Sequence, residues 1–421
     1  MSQSATRGLV VTTRKLSSTP DLLALISDPS ASLWRRRSNG MVGLGLTERL
    51  TFSGPDRIAE ASRVWNEIAH RAQVEDEVAL AGTGLIAFGT FAFDAKSDMD
   101  SVLVIPEIVI GHRGGSFWLT RISFADQELG HFSDAEAEQI LAEHLGEAVP
   151  SGSAIELLPG QQSPSGYSDS VVKAVERIYA GTVNKVVLSR DLRAQWNRTS
   201  PASALRSLAE SYPDCWTFCV DGLFGASPET LISVTANTAE ARVLAGTARR
   251  GLDAASDAEY AAELASSSKD SDEHGFAVRS VVDALAPHTT ALTMSEEPFT
   301  LKLPNVWHLA TDISAQLTHG STALDLVDAL HPTAAVAGNP TAAALDVISE
   351  LEPFDRGRYA GPVGWINAQG DGEWAIALRC AQISGTTITA YAGGGIVADS
   401  VPEVELAETT MKFRPIVEAL N

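Results

Sequence analysis

Cysteine is scarce in this 421-residue chain. There are three, Cys215, Cys219 and Cys380, and no two stand in a C-x-x-C pair. That excludes a disulfide framework and points to a reducing compartment, so the expected setting is the cytoplasm. Basic residues are also few: 31 Lys and Arg against 53 Asp and Glu, a formal charge of −22. The one basic run is Arg35 to Arg37, so no nucleic-acid partner is expected. Long apolar runs of the membrane-spanning kind are not seen. The uncharged stretch 78–93, "VALAGTGLIAFGTFAF", is short for a span and carries three glycines, and it reads as strand and turn within a core. The first residues, "MSQSATRGLVVTTRKLSS", lack the apolar centre of a signal peptide.

What is present is a large apolar fraction, 44%, with 20% charged residues, enough to bury a sizeable core. The acidic balance would repel an anionic substrate, which would therefore need a local cation. Apolar periodicity predicts helices over 55–73, 134–146, 169–181, 202–211, 255–286, 322–330, 340–350 and 402–420. Strands are predicted near 85–93, 100–110, 116–124, 184–190, 216–222, 230–235, 240–244, 306–317, 362–368, 373–380 and 386–391. Short turns between many of these imply antiparallel pairing. The expected fold class is α+β, with large mixed or antiparallel sheets covered by helices. The Ser-, Gly- and Pro-rich stretch 147–170 is the best linker candidate. It divides the chain into 1–150 and a motif-dense 151–421, read together as one integrated domain.

Several residues invite chemistry. Lys185 opens the run "NKVVLSRD", where an ammonium group meets Val186, Val187 and Leu188. Either it snorkels to water or it sits in a pocket that lowers its pKa. Glu229 follows Ser227-Pro228 at a turn, a position more often solvated than functional. Glu273 and His274 lie on a helix beside an apolar stripe; the E-H pair lacks the second histidine of a zinc motif. Glu405, Glu408 and Lys412 fall at i, i+3 and i+7 and share one helix face. That face is either an exposed ion-paired stripe or, with a glutamate from elsewhere, a site for a hard cation. "VLAGTARRG" and "YAGGGIVADS" expose backbone amides after apolar strands. Arg379 reads as embedded in an apolar strand and therefore wants an anion. His308 is also strand-embedded, where a structurally satisfied ring is the commoner case.

The order of these stretches says more than any one of them. "NKVVLSR", "GASPET", "LAGTARRG", "KDSDEH", "WHLATDI", "LHPTAAVAGNP", "RYAGPVGW", "GDGEWAIALR", "AGGGIVADS" and "EVELAETTMK" follow one another from about 170 to 416. This succession resembles the chorismate-utilising enzymes, the isochorismate synthases most closely; the first 150 residues resemble them only at "GLIAFGTFAFD". The resemblance implies two antiparallel-rich sheets with a cleft active site, chorismate as substrate and Mg2+ as cofactor. It implies Lys185 as general base and Glu229 as general acid, water adding at ring carbon 2 as hydroxide leaves carbon 4. It implies Glu273 and Glu408 as metal ligands with Glu405 direct or through water. Gly246, Thr247, His308, Tyr359, Arg379, Gly393, Gly395 and Lys412 are the implied substrate contacts. Lysine serves as a base only if its ordinary pKa of about 10.4 falls.

Relatives with other outcomes are less similar. Anthranilate synthases typically carry glutamine where Lys185 stands and an N-terminal "LLES", whose nearest match here is "DLLALIS". Aminodeoxychorismate synthases typically carry a lysine at the place of Ala245. Salicylate synthases share the base and acid and usually carry a lysine where Thr341 stands. An inactive chorismate sensor would be expected to lose Lys185, Glu229 or a metal glutamate. No glutamine amidotransferase partner is implied, and the product could feed menaquinone or a siderophore.

Overall fold

The computed structural model describes residues 7–26, 30–127, 132–144, 154–251, 253–302 and 306–421. Among them, two sheets of thirteen and ten strands face one another across a shared core. Pairing is antiparallel throughout the described ladders except where Leu9–Leu16 meets Gln73–Asp76 in parallel. The first sheet carries Lys185–Gln195, Thr387–Ile396, Cys380–Ser384, Leu223–Ser227, Trp216–Val220, Ser32–Arg36 and Asn39–Leu44 as successive neighbours. The second carries Val306–Leu317, Thr238–Arg249, Thr230–Thr235, Gly372–Ile376, Pro362–Asn367, Ile86–Thr90, Ser101–Ile105 and Glu48–Phe52. Both sheets therefore mix strands from the first 126 residues with strands from the last 200 or so.

Large side chains fill the space between the sheets: Trp34, Phe88, Phe218, Trp365 and Trp374 are all at most 1% exposed. A second core lies on the outer face of the first sheet. There Leu205 and Leu208 of the helix Ala202–Ser211 meet Phe413, Ile416 and Leu420 of the C-terminal helix Pro402–Leu420. The helix Ser268–Leu285 packs on the second sheet.

Four expectations change, each for a local reason. The run 100–110 is two strands, Ser101–Ile105 and Ile108–Arg113, in different sheets; Pro106 lies in the break, where it has no N–H to give a ladder. The run 373–380 also divides, into Gly372–Ile376 and Cys380–Ser384, so Arg379 is not inside a strand. It sits at the passage between sheets with φ +49. The helix read over 255–286 breaks at Ser267, whose backbone is extended and whose Oγ accepts from Asp270 N, capping a new helix. Finally, helix Pro164–Tyr179 starts inside the predicted linker, capped by Ser163 with proline in its first turn; 147–153 lie outside the described residues.

Candidate active site

The chain passes between the two sheets at neighbouring points, and this brings Glu229 and Arg379 together. One passage runs from Leu223–Ser227 to Thr230–Thr235 and holds Pro228 and Glu229. The other runs from Gly372–Ile376 to Cys380–Ser384 and holds Arg379. They are laced together: Ile376 N donates to Glu229 O (3.1 Å), Ala226 N donates to Arg379 O (3.1 Å), and Ser227 Oγ donates to Ile376 O (2.5 Å). Ser227 Oγ also accepts from Glu229 N at 3.2 Å. Gly225 is needed at this crossing, because a Cβ there would lie 2.6 Å from Arg379 O. Pro228 is exposed and Glu229 half-buried. Burial pushes the Glu229 carboxyl above the ordinary carboxylate range, against the opposing pull of Arg379, Lys185 and Lys412. The charges of all three thus act on it.

Lys185 is the first residue of its strand, paired with Asn339 on one side, while Val186 and Val187 pair with Ile396 and Gly395 on the other. Its stem crosses Gly395: a Cβ there would be 2.8 Å from Lys185 Cε and 3.4 Å from Nζ. The glycine is thus the space the lysine occupies. Lys412 Nζ donates to Gly393 O (2.8 Å) and pairs with Glu408 Oε1 at 2.5 Å. Tyr359 is buried, stacked on Tyr391 with centroids 5.2 Å apart, and its hydroxyl lies 3.1 Å from where a Gly393 Cβ would stand. Burial holds the Tyr359 phenol neutral, pushing its pKa up.

Gly394, next in the same strand, separates two carboxylates. A Cβ on it would lie 3.2 Å from Glu405 Oε2 and 3.8 Å from Glu408 Oε1. Glu405 is buried, accepts from Ser400 Oγ at 2.7 Å, and is pushed up by burial and by the Glu408 charge. Two glutamate oxygens around an open glycine suit a small cation that takes few protein oxygens and keeps water or substrate oxygens, as magnesium does. Glu405, Glu408 and Lys412 share a face as expected, and the face looks onto the Gly393–Gly395 strand. The Glu273 side chain lies outside the described residues. Among the described residues no group of three or more His, Cys, Asp or Glu forms a metal site.

Gly246 (φ +74) and His308 meet on the second sheet: His308 Nδ1 lies 3.2 Å from Gly246 O, and burial pushes its pKa down. The Thr247 side chain lies outside the described residues. His274, beside Glu273, is fully buried with Nε2 2.7 Å from Thr311 Oγ1, which fastens its helix to the second sheet.

Sequence reasoning missed the residues that support this group. Tyr167 is fully buried with its hydroxyl 3.5 Å from the same Gly394 Cβ position. Arg356 donates to Val187 O (2.6 Å) and Val336 O (2.9 Å) and pairs with Glu352, which accepts from Ser189 N (2.7 Å). This buried pair anchors the lysine strand. Arg190 donates to Thr409 and Thr410 Oγ1, both at 2.8 Å, tying the same strand to the C-terminal helix. The i, i+4 spacing of Glu352 and Arg356 was a readable signal, though it looks the same on any exposed helix face.

Known proteins match this architecture. A family model described as "Chorismate binding enzyme" covers residues 3–421. The isochorismate synthase DhbC of Bacillus subtilis is 41% identical over 275 residues, 61% of this chain and 68% of that protein. In a solved structure, the menaquinone-specific isochorismate synthase MenF of Escherichia coli is 26% identical with a TM-score of 0.78, covering 99% of this chain and 95% of that one. The putative 2,3-dihydroxybenzoate-specific isochorismate synthase DhbC of Bacillus anthracis is 30% identical with a TM-score of 0.71, covering 94% and 98%.

Proposed function

The chain belongs to the chorismate-binding enzyme family, and from that premise we propose that it is an isomerase converting chorismate to isochorismate. The observation that carries this reading is the half-buried Glu229 carboxyl at the crossing between the sheets, pushed up by burial against the opposing charges of Arg379, Lys185 and Lys412. In support of this reading, the charges of Lys185, Arg379 and Lys412 all act on Glu229 and could receive a dianion despite the overall charge of −22.

In this reading Lys185 takes a proton from the water whose oxygen bonds to ring carbon 2. The two ring double bonds shift by one position. The carbon 4–oxygen bond breaks, and Glu229 gives its proton to the departing hydroxide, which leaves as water. Arg379 and Lys412 hold the substrate carboxylates. Glu405 and Glu408, with Glu273 as a third glutamate, would hold Mg2+, which supplies electron withdrawal from the ring through a substrate carboxylate. Tyr359 and the Gly393–Gly395 strand close one wall, and Gly395 sets where the Lys185 amine stands.

The test is chromatographic product analysis with chorismate and magnesium and no partner protein. Isochorismate alone supports the proposal. Salicylate with pyruvate would make it a salicylate synthase, and no turnover would make it a binding protein. Whether the isochorismate feeds menaquinone or a siderophore is a further question: both a menaquinone-specific and a vibriobactin-specific isochorismate synthase match.

A further inference from the structure

The helix Pro164–Tyr179 turns Tyr167, Val171 and Ala174 inward, each of them fully buried. For packing alone, phenylalanine would serve as well as tyrosine at the first of these. The hydroxyl is an extra polar atom carried into a core, and such an atom costs stability unless it finds a partner. Among the described residues its one hydrogen-bond partner is Leu188 O, at 3.5 Å, well beyond the usual length of about 2.8 Å for such a bond. The packing of the helix therefore leaves the hydroxyl without an account.

What the hydroxyl faces is the space over Gly394. Leu188 and Gly394 are partners in register on neighbouring strands. A Cβ on Gly394 would stand 3.5 Å from the Tyr167 hydroxyl oxygen, 3.2 Å from Glu405 Oε2 and 3.8 Å from Glu408 Oε1. One donor and two carboxylates thus border a single point. The carboxylates are held by their other contacts. Glu405 Oε1 accepts from Ser400 Oγ at 2.7 Å, and Glu408 Oε1 pairs with Lys412. Among the described residues no protein donor reaches Glu405 Oε2. A buried donor with one long contact and a buried acceptor with none therefore look into the same gap.

We propose that Tyr167 is a positioning residue for the carboxylate pair: its hydroxyl donates to Glu405 Oε2, directly or through one water, and holds that oxygen where a divalent cation is received. This rests on the reading of Glu405 and Glu408 as cation ligands. A phenol, with an ordinary pKa of about 10, suits the task because it donates a hydrogen bond and stays neutral. A lysine or arginine in its place would satisfy the same oxygen and repel the cation. A phenylalanine would leave Glu405 free to turn away from Glu408, whose charge repels it. Groups that orient ligands in this way typically contribute 10-fold or more to metal affinity.

The test is calorimetric titration of Mg2+ into the full chain without chorismate, comparing wild type with Tyr167→Phe. The variant loses one oxygen and keeps the ring. Its Kd for Mg2+ should rise about 10-fold, with the metal-free melting curve unchanged. In turnover the magnesium requirement should shift likewise, with kcat at saturating magnesium largely kept. Tyr391→Phe is the control: it deletes a hydroxyl from another buried tyrosine, three residues before Gly394 and so on the opposite face of the strand, and should leave Mg2+ binding as it is. Wild type that takes up no Mg2+ would remove the metal site and this role together. Wild type and Tyr167→Phe binding Mg2+ equally well would leave the metal site standing and overturn the positioning role alone. Equal losses in Tyr167→Phe and Tyr391→Phe, or a weakened Tyr167→Phe whose metal-free melting curve also falls, would mean loosened packing and overturn it too.

Discussion

The surroundings of Glu229 shift its titration upward. Glutamate at a turn is ordinarily ionised at neutral pH, but here burial raises its pKa while Arg379, Lys185 and Lys412 pull the other way. Expectations follow first for activity and second for stability. Glu229→Gln keeps size and hydrogen bonding but has no proton to give, so isomerisation should slow by on the order of 100-fold or more. The forward and reverse reactions should slow equally, which product analysis from each side checks. Lys185→Ala should lose the forward activity with the fold retained, as read by circular dichroism. The second expectation concerns stability. A group whose folded pKa is raised stabilises fully below its unfolded value, near about 4.3, and that contribution is lost as pH rises through the folded value. Glu229→Gln should therefore melt higher than wild type near pH 8 and match it near pH 4. Equal melting temperatures at both pH values would mean that the carboxyl is not held protonated by the fold.

Single glycines in the strand Thr387–Ile396 set distances that no side chain could. Gly394→Ala would put a methyl 3.2 Å from Glu405 Oε2 and 3.8 Å from Glu408 Oε1. The expected result is a magnesium requirement raised about 5- to 10-fold, with kcat at saturating magnesium much less affected. Direct calorimetric titration of Mg2+ gives the same comparison without turnover, and unchanged binding would remove the metal from this place. The strand's role was partly legible in advance. "AGGGIVADS" after an apolar run announces exposed backbone, and Glu405, Glu408 and Lys412 announce a shared helix face. The sheet crossings were not legible. "EWAIALRCAQI" has one continuous apolar character, so nothing in its pattern marks that the chain changes sheets at Ala377–Arg379. Its left-handed arginine arises from tertiary lacing to Ala226, which no local propensity records. Glu229 and Arg379 were each singled out for their own reasons, and their adjacency is a product of the two crossings.

At the scale of the whole molecule, 421 residues exceed what one hydrophobic core usually organises, and such chains commonly split into domains. The strands Leu9–Leu16, Ser32–Arg36, Asn39–Leu44, Glu48–Phe52 and Gln73–Asp76 were not read from sequence at all, since charged and polar residues interrupt their alternation. They nevertheless bind the first third to the rest. Ser32–Arg36 pairs with Trp216–Val220 in the first sheet, and Ile86–Thr90 pairs with Pro362–Asn367 in the second. Buried Arg358, one residue before Tyr359, donates to Asp100 O at 2.8 Å and to Asp221 Oδ2 at 2.7 Å. Trp34 reaches across to Glu373 on the facing sheet. A fragment of residues 154–421 keeps every residue assigned here to chemistry, yet it would expose two new sheet edges and one side of the core around Trp365 and Trp374. If the chain is one folding unit, this fragment should be insoluble or unfold without a cooperative transition, and co-expression with residues 1–126 should recover more soluble material than the fragment alone. A soluble 154–421 fragment with a sharp thermal transition and chorismate turnover would show instead that the catalytic region folds by itself and that the first third is an accessory.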